Sequence, residues 1–296
     1  MYTIALFYKY LPIADPTALA AEQRELCLRF GFTGRMIVAS EGINATCEGQ
    51  RDHMSSYLEI MRADPRFADI DFKISEGTGT AFNTLSVKVR PEIVSAHLGA
   101  DDVNPAQLTA KYVTAEQLHN WIHTGKELYI IDMRNDYEHA VGFFTDATLL
   151  PMKNFRDLPT VLPKLEHLKE KTIVTVCTGG VRCEKASGYL LTHGFKNVFQ
   201  LYGGIVTYME KYPNVDFKGA LYVFDGRVTM GFNREDKNHE IVGQCVWCAG
   251  PTEHYIDCID IHCAFERHVL CCAVCVTGTG QGYCSAACKN ASSLSR

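Results

Sequence analysis

The chain has 296 residues, room for about two domains, or three if one is small. Hydrophobic residues make up 47% and charged residues 21%, which excludes disorder across the whole chain. With 29 basic against 34 acidic side chains the formal charge is -5, so the chain is not a bulk polycation, and any contact with nucleic acid must come from a local patch. The departure from ordinary composition is 13 cysteines. Cys27 and Cys47 lie early, Cys177 and Cys183 lie in the middle, and nine fall between Cys245 and Cys288.

The N-terminus, MYTIALFYKYLPIADP, has no basic n-region and reads as a first strand rather than a signal peptide. No run of about 18 apolar residues suggests a membrane span. The expected compartment is therefore a reducing cytoplasm, where clustered cysteines bind metal or do redox chemistry more often than they form structural disulfides.

Ile4 to Tyr8 reads as a strand, and Pro16 to Phe30 as a helix stopped by Gly31. Met36 to Ala39 reads as strand, Ser40 to Asn44 as a turn, and Met54 to Met61 as a second helix. Phe72 to Ser75 and Leu85 to Val89 are two further strands. This order predicts a ferredoxin-like, acylphosphatase-like α+β domain over residues 1–92. Residues 93–112 read as a linker, because Pro, Gly, Asp and Asn occur there without periodicity.

Residues 113–212 alternate helix and strand, which predicts a parallel α/β sheet covered on both faces. Thr114 to Gln117 is a capping box for a helix ending near Gly125. Leu128 to Asp132 reads as a strand that delivers Asp132 and Arg134 at its carboxyl end. Ala147 to Leu150 is a short strand and Leu158 to Leu168 has helical spacing. Thr172 to Val176 reads as a strand buried on both faces, followed by a helix from about Cys183 to His193 and a strand at Asn197 to Gln200. Active sites of such sheets lie beyond the carboxyl ends of the strands, which points at Cys177. Residues 213–296 form a Cys-rich region, opening with a hairpin that turns at Asp225-Gly226.

Cys177 opens a loop, Thr178, Gly179, Gly180, Val181, that ends at Arg182 and Cys183. A thiolate is the nucleophilic form of cysteine, and a helix N-terminus with a nearby arginine lowers its pKa. The two glycines let backbone N–H groups face inward around the sulfur. The Cys-x4-Arg spacing makes a smaller loop than the Cys-x5-Arg of cysteine phosphatases, which suits a persulfide or another small group. Cys183 is a candidate resolving thiol. Asp132 and Arg134 are read first as a salt bridge bracing the loop, ahead of a direct catalytic role.

In the tail, Cys245-x2-Cys248 and Cys272-x2-Cys275 have metal-knuckle spacing, and Cys258-x4-Cys263 and Cys284-x3-Cys288 add two more pairs. Eight ligands suffice for two structural zinc ions and leave Cys271 spare. Disulfides or an iron–sulfur cluster are the alternatives, and sequential and interleaved pairings both fit. Aliphatic residues are too few for the tail to fold on a core alone, so metal would supply folding free energy.

Several stretches together carry a resemblance. CTGGVRCEKAS, with IIDMRNDYEHAVGFF upstream, resembles a rhodanese domain. GRMIVASEGINATCEG, CVWCAG and YCSAAC extend the likeness over the whole chain, to the rhodanese-containing bacterial tRNA uridine-34 hydroxylases. Two positions depart: Phe143 where Gly-His is common, and Ala45 where the family usually has Gly. The resemblance implies 5-hydroxylation of the wobble uridine of tRNA with molecular oxygen as co-substrate, Cys177 as the essential residue and Arg182 as its loop partner. The residues alone support a reactive thiolate. Persulfide-based sulfur transfer is the alternative, and the intact loop argues against a non-catalytic adaptor. Lys153, Arg156, Lys164, Lys169, Lys171, Arg182 and Lys185 exceed the acids near the loop, as expected if an anticodon stem-loop docks there. Arg35, Arg51 and Lys73 are further phosphate candidates that neighbouring acids offset. No flavin or nicotinamide fingerprint, no two-histidine-one-carboxylate set and no obligate protein partner can be picked out.

Overall fold

The computed structural model describes residues 1–264 and 267–294. The first unit runs β1 (Tyr2–Tyr10), α1 (Pro16–Arg29), β2 (Thr33–Ala39), β3 (Gly42–Gln50), α2 (Arg51–Ala63), β4 (Lys73–Gly77) and β5 (Leu85–Val89). The sheet order is β4-β1-β3-β2-β5. The first four strands pair antiparallel as in a ferredoxin-like sandwich, and β5 adds a parallel edge on β2. Asp15 starts α1 by accepting the N–H groups of Thr17 and Ala18. Ala5, Phe7, Met36, Val38 and Ile43 pack under the helices with Leu19, Met54 and Tyr57.

One reading of this region needs correction. Only Ser40 and Glu41 form the turn; Gly42 already begins a nine-residue strand. Gly and Asn punctuate loops in isolated sequence, but β3 lies between β1 and β2 and hydrogen-bonds to both, so tertiary pairing overrides local preference.

Residues 93–112 lack long regular elements, yet they are not a free linker. Ala96, Leu98, Val103 and Ala110 are buried in one core of the second unit. That unit contains β6 (Lys111–Val113), α3 (Ala115–His123), β7 (Tyr129–Asp132), α4 (Asp136–His139), β8 (Gly142–Phe144), β9 (Thr148–Leu149), α5 (Leu158–Val161), β10 (Thr172–Val176), α6 (Val181–Thr192), β11 (Asn197–Leu201) and α7 (Gly204–Lys211). Its sheet, β6-β11-β10-β7-β9, is parallel throughout, and separate apolar cores cover its two faces. The helix expected over 158–168 tightens to a 3-10 coil from Leu162, where Pro163 has no N–H to give an α-helical bond.

The last unit is tied to the second one. β12 (Phe217–Gly219) pairs antiparallel with β8. A hairpin follows, β13 (Leu221–Tyr222) with β14 (Thr229–Met230), whose connecting loop donates Gly226 N–H to Ala81 O in the first unit. Then come β15 (Tyr255–Asp257), β16 (His268–Leu270), α8 (Ala273–Thr277) and α9 (Ala286–Leu294). Among the described residues, no helix is long and apolar enough to cross a membrane.

Candidate active site

β10 ends at Val176, and Cys177 follows it, fully buried at the floor of a cleft of about 450 Å³. Gly180 has φ +104 and caps α6, so the chain turns tightly enough for its N–H to reach Cys177 Sγ at 3.3 Å. The start of α7 closes the loop from behind: Ile205 N–H donates to Cys177 O and Val206 N–H to Thr178 O. Gly204 makes this approach possible, since a Cβ there would lie 2.7 Å from Cys177 O.

Burial pushes the Cys177 thiol up. The Cys183 thiol, the Arg182 charge and the N–H groups of Cys183 and Arg182 together outweigh burial and bring its pKa down to about 6. Cys177 is therefore largely thiolate at neutral pH. Burial and the Cys177 sulfur push Cys183 well above the usual thiol range, so Cys183 stays protonated and stabilises its neighbour.

Arg182 is held by a residue that the sequence reading missed. Glu138, fully buried, makes a two-point ion pair with the Arg182 guanidinium, at 2.8 Å for Nη2 to Oε2. It also accepts the Asn135 N–H at 2.9 Å. The sequence signal was a capping box at Asn135-x-x-Glu138, inside the stretch quoted for its family resemblance. Asp132 and Arg134 form a fully buried ion pair, and Arg134 also donates to Gly142 O at 2.7 Å. They do not line the cleft; they brace β7 against β8.

The open face of the first sheet roofs the loop. Strand register places Leu6, Thr46 and Arg35 in one row and Tyr8, Asn44 and Ile37 in the next, and all six line the cleft. Tyr8 OH donates to Glu184 at 3.0 Å, and Tyr10 OH to Val181 O at 3.3 Å. Glu184 is buried and also accepts from Tyr112, Thr109 and Gln200. Phe224, from the loop of the C-terminal hairpin, completes the wall, so all three units build one cleft.

The expected basic patch is mostly neutralised. Lys185 is fully buried against Asp102 at 2.8 Å, Glu41 at 2.9 Å and Glu92 at 3.6 Å. Arg182 pairs with Glu138, Lys153 with Asp136, Lys169 with Glu166 and Lys171 with Glu127. Of the seven basic residues, Arg182 and Arg156 line the cleft, and only Arg156 does so exposed. Glu41 also accepts Ile93 N–H while Asn44 donates to Ile93 O, so the SEGIN segment staples the 93–112 strap in place.

Eight tail cysteines assemble as two groups, Cys245, Cys248, Cys272, Cys275 and Cys258, Cys263, Cys284, Cys288, with the four sulfurs of each within 4.8 Å of one another. The pairing is interleaved. Sulfur separations of 3.5–3.7 Å are too long for a disulfide and close to the roughly 3.8 Å edge of a tetrahedron with metal–sulfur bonds of about 2.3 Å. The donor set thus fits one tetrahedral ion per group. Cys271 belongs to neither group; burial and the nearby Cys245 sulfur push its thiol up to about 12.

Models of three protein families match the chain in order: the UPF0176 acylphosphatase-like domain over residues 2–93, the rhodanese-like domain over 114–211 and the rhodanese C-terminal region over 218–289. A protein of Cytophaga hutchinsonii named tRNA uridine(34) hydroxylase is 41% identical over 97% of this chain and 90% of its own length. The chain belongs to the tRNA uridine(34) hydroxylase family. A Bacillus cytotoxicus protein of the same name is also 41% identical, over 91% of this chain and 82% of its own. Among solved structures, a rhodanese-like domain protein from Staphylococcus aureus is 30% identical, covering 33% of this chain and 90% of that one, with a TM-score of 0.29.

Neither departure from the family pattern lies in the Cys177 loop, though Ala45 is among the residues lining the cleft. Phe143 pairs with Lys218 between β8 and β12, and Ala45 is buried in the first core. A two-histidine-one-carboxylate set, not foreseen from sequence, does exist in this hydroxylase relative: His119 and His123, one turn apart on α3, each lie about 3 Å from an Asp216 oxygen. Asp216 also accepts from Tyr208, one helical turn along α7 from the Gly204 end that touches Cys177. The set lines no part of the cleft and reads as a hydrogen-bonded lock between α3, α7 and the start of β12.

Proposed function

We propose that this protein hydroxylates C5 of uridine 34 in tRNA, with molecular oxygen as co-substrate and Cys177 as the reactive thiolate. The observation that carries the reading is the Cys177 thiolate at the floor of an interdomain cleft, in a chain of this family. Arg182 holds the negative charge of the thiolate, Glu138 positions Arg182, and the Thr178 to Val181 loop shapes the anion site. Cys183 is the resolving thiol. Placing one oxygen atom on C5 and releasing the other as water consumes two electrons and two protons beyond those of the C5–H bond. The Cys177 thiolate and the Cys183 thiol closing to a disulfide supply both electrons and one proton, and water supplies the second proton, so the pair balances the reaction. The three units are the domains set out above, each tail cluster holds one structural zinc ion, and the protein works in the cytoplasm with the tRNA anticodon stem-loop as its partner.

The test is incubation of purified protein with unmodified tRNA under isotope-labelled oxygen gas, followed by nucleoside mass spectrometry. The expected product is 5-hydroxyuridine carrying labelled oxygen. Cys177→Ser abolishes it, and Cys183→Ser leaves activity that depends on added thiol. Transfer of sulfur from thiosulfate to cyanide with no nucleoside product would instead make the protein a sulfurtransferase.

A further inference from the structure

Charge in the cleft is sorted by depth. Near the floor the buried cations meet acids, as Arg182 meets Glu138 and Lys185 meets three carboxylates, while the buried Glu184 is satisfied by neutral donors. Two guanidinium groups at the rim differ. Arg35 projects from β2 in the first unit, and Arg156 from the short turn after β9 in the second. Both are exposed and both line the cleft, and among the described residues neither forms an ion pair or a side-chain hydrogen bond. The rest of the cleft lining is largely apolar, including Leu6, Ile37 and the exposed Phe224 ring, with the mostly buried Phe82 and Phe155 contributing edges.

This pattern suits one kind of ligand. A small free anion would be drawn to the rim and repelled by the thiolate below. A ligand with an uncharged ring and negative charge on both sides satisfies floor and rim together. One nucleotide inside a single strand has that form: its base points inward, and the strand's phosphates pass over the two walls. An exposed ring such as Phe224 accepts a base unstacked from its neighbours, and a base must leave the stack to reach a sulfur as deep as Cys177.

We propose that Arg35 and Arg156 are a two-sided phosphate clamp that holds single-stranded RNA across the mouth of the cleft and aims one base at Cys177. This rests on the tRNA reading above and names the positioning residues it requires.

The test measures dissociation constants of the full-length protein for unmodified tRNA at several salt concentrations. The proteins are wild type and the Arg35→Ala, Arg156→Ala, Arg35→Lys and Arg156→Lys variants, with nucleoside products followed in parallel. Each alanine variant is expected to bind about tenfold more weakly and to lose about 0.7 from the slope of log affinity against log salt, the value for one phosphate contact on a single strand. The lysine variants are expected to keep the slope, and the kinetic loss is expected to fall mainly on KM. Wild-type affinity and slope in both alanine variants would overturn the clamp. So would an equal loss of slope in the alanine and lysine variants, which would mean that the side chains act through packing. The two readings separate cleanly. If binding follows the clamp but no 5-hydroxyuridine forms, hydroxylation fails and the clamp stands. If hydroxylation proceeds while the alanine variants bind normally, only the clamp fails.

Discussion

At Cys177, burial opposes ionisation, while one guanidinium, one neighbouring thiol and several backbone N–H groups favour it, and the second set wins. With the pKa lowered to about 6, the thiolate is lost as pH falls through 6 and is fully formed above it. Alkylation of Cys177 by a neutral reagent should therefore rise through pH 6 and level off by neutrality. An ordinary thiol would still be rising near pH 8.5. A rate that climbs only above pH 8 would contradict the site as described. Glu138 carries a second consequence. Arg182 is almost completely buried, so Glu138→Gln would remove its hydrogen-bonded counter-ion, leave the Cys177 thiolate as the nearest charge, and cost up to about 3–5 kcal/mol. Chemical denaturation of the second domain measures that loss. Cys177 and Arg182 were legible in sequence because nucleophile, glycines and arginine are contiguous. Glu138 lies 44 residues from Arg182, and only the fold brings the two together.

The elements around this loop are joined by ion pairs that span units. Lys185 on α6 gathers Glu41 from the β2–β3 turn, Glu92 from just before the strap and Asp102 from within it. Lys185→Met should cost roughly 3 kcal/mol, because three acids lose their shared cation. It should also expose residues 93–112 to limited proteolysis; a strap as resistant as in wild type would show that the pairing does not hold it. Element types were readable wherever a local signal was strong, as in the Pro16 start of α1, the β-branched run of β10 and the capping box that begins α3. β3 was not, since Gly42 and Asn44 carry turn chemistry while its strand pairing is supplied by distant partners. Nor was the strap, whose few apolar residues show no period yet fill a neighbouring core.

Across the whole molecule, the cleft exists only when three units meet. The first supplies a sheet face, the second the cysteine loop and the third Phe224. The spacing of the tail cysteines showed that they pair, but the interleaved pattern needed the β15–β16 fold, which brings the Cys272 and Cys275 knuckle back to Cys245 and Cys248. Two zinc ions per chain are expected by metal analysis. A strong chelator should unfold the tail while leaving the parallel sheet folded, as read by limited proteolysis, because few apolar groups remain to hold the tail once its ligands are free. The most direct test of the central claim is nucleoside mass spectrometry of tRNA from cells lacking this protein, complemented with wild type or with Cys177→Ser. The account predicts that wobble 5-hydroxyuridine and its derivatives vanish, return with wild type and stay absent with Cys177→Ser. Unchanged spectra in the deletion strain, or full restoration by Cys177→Ser, would contradict it.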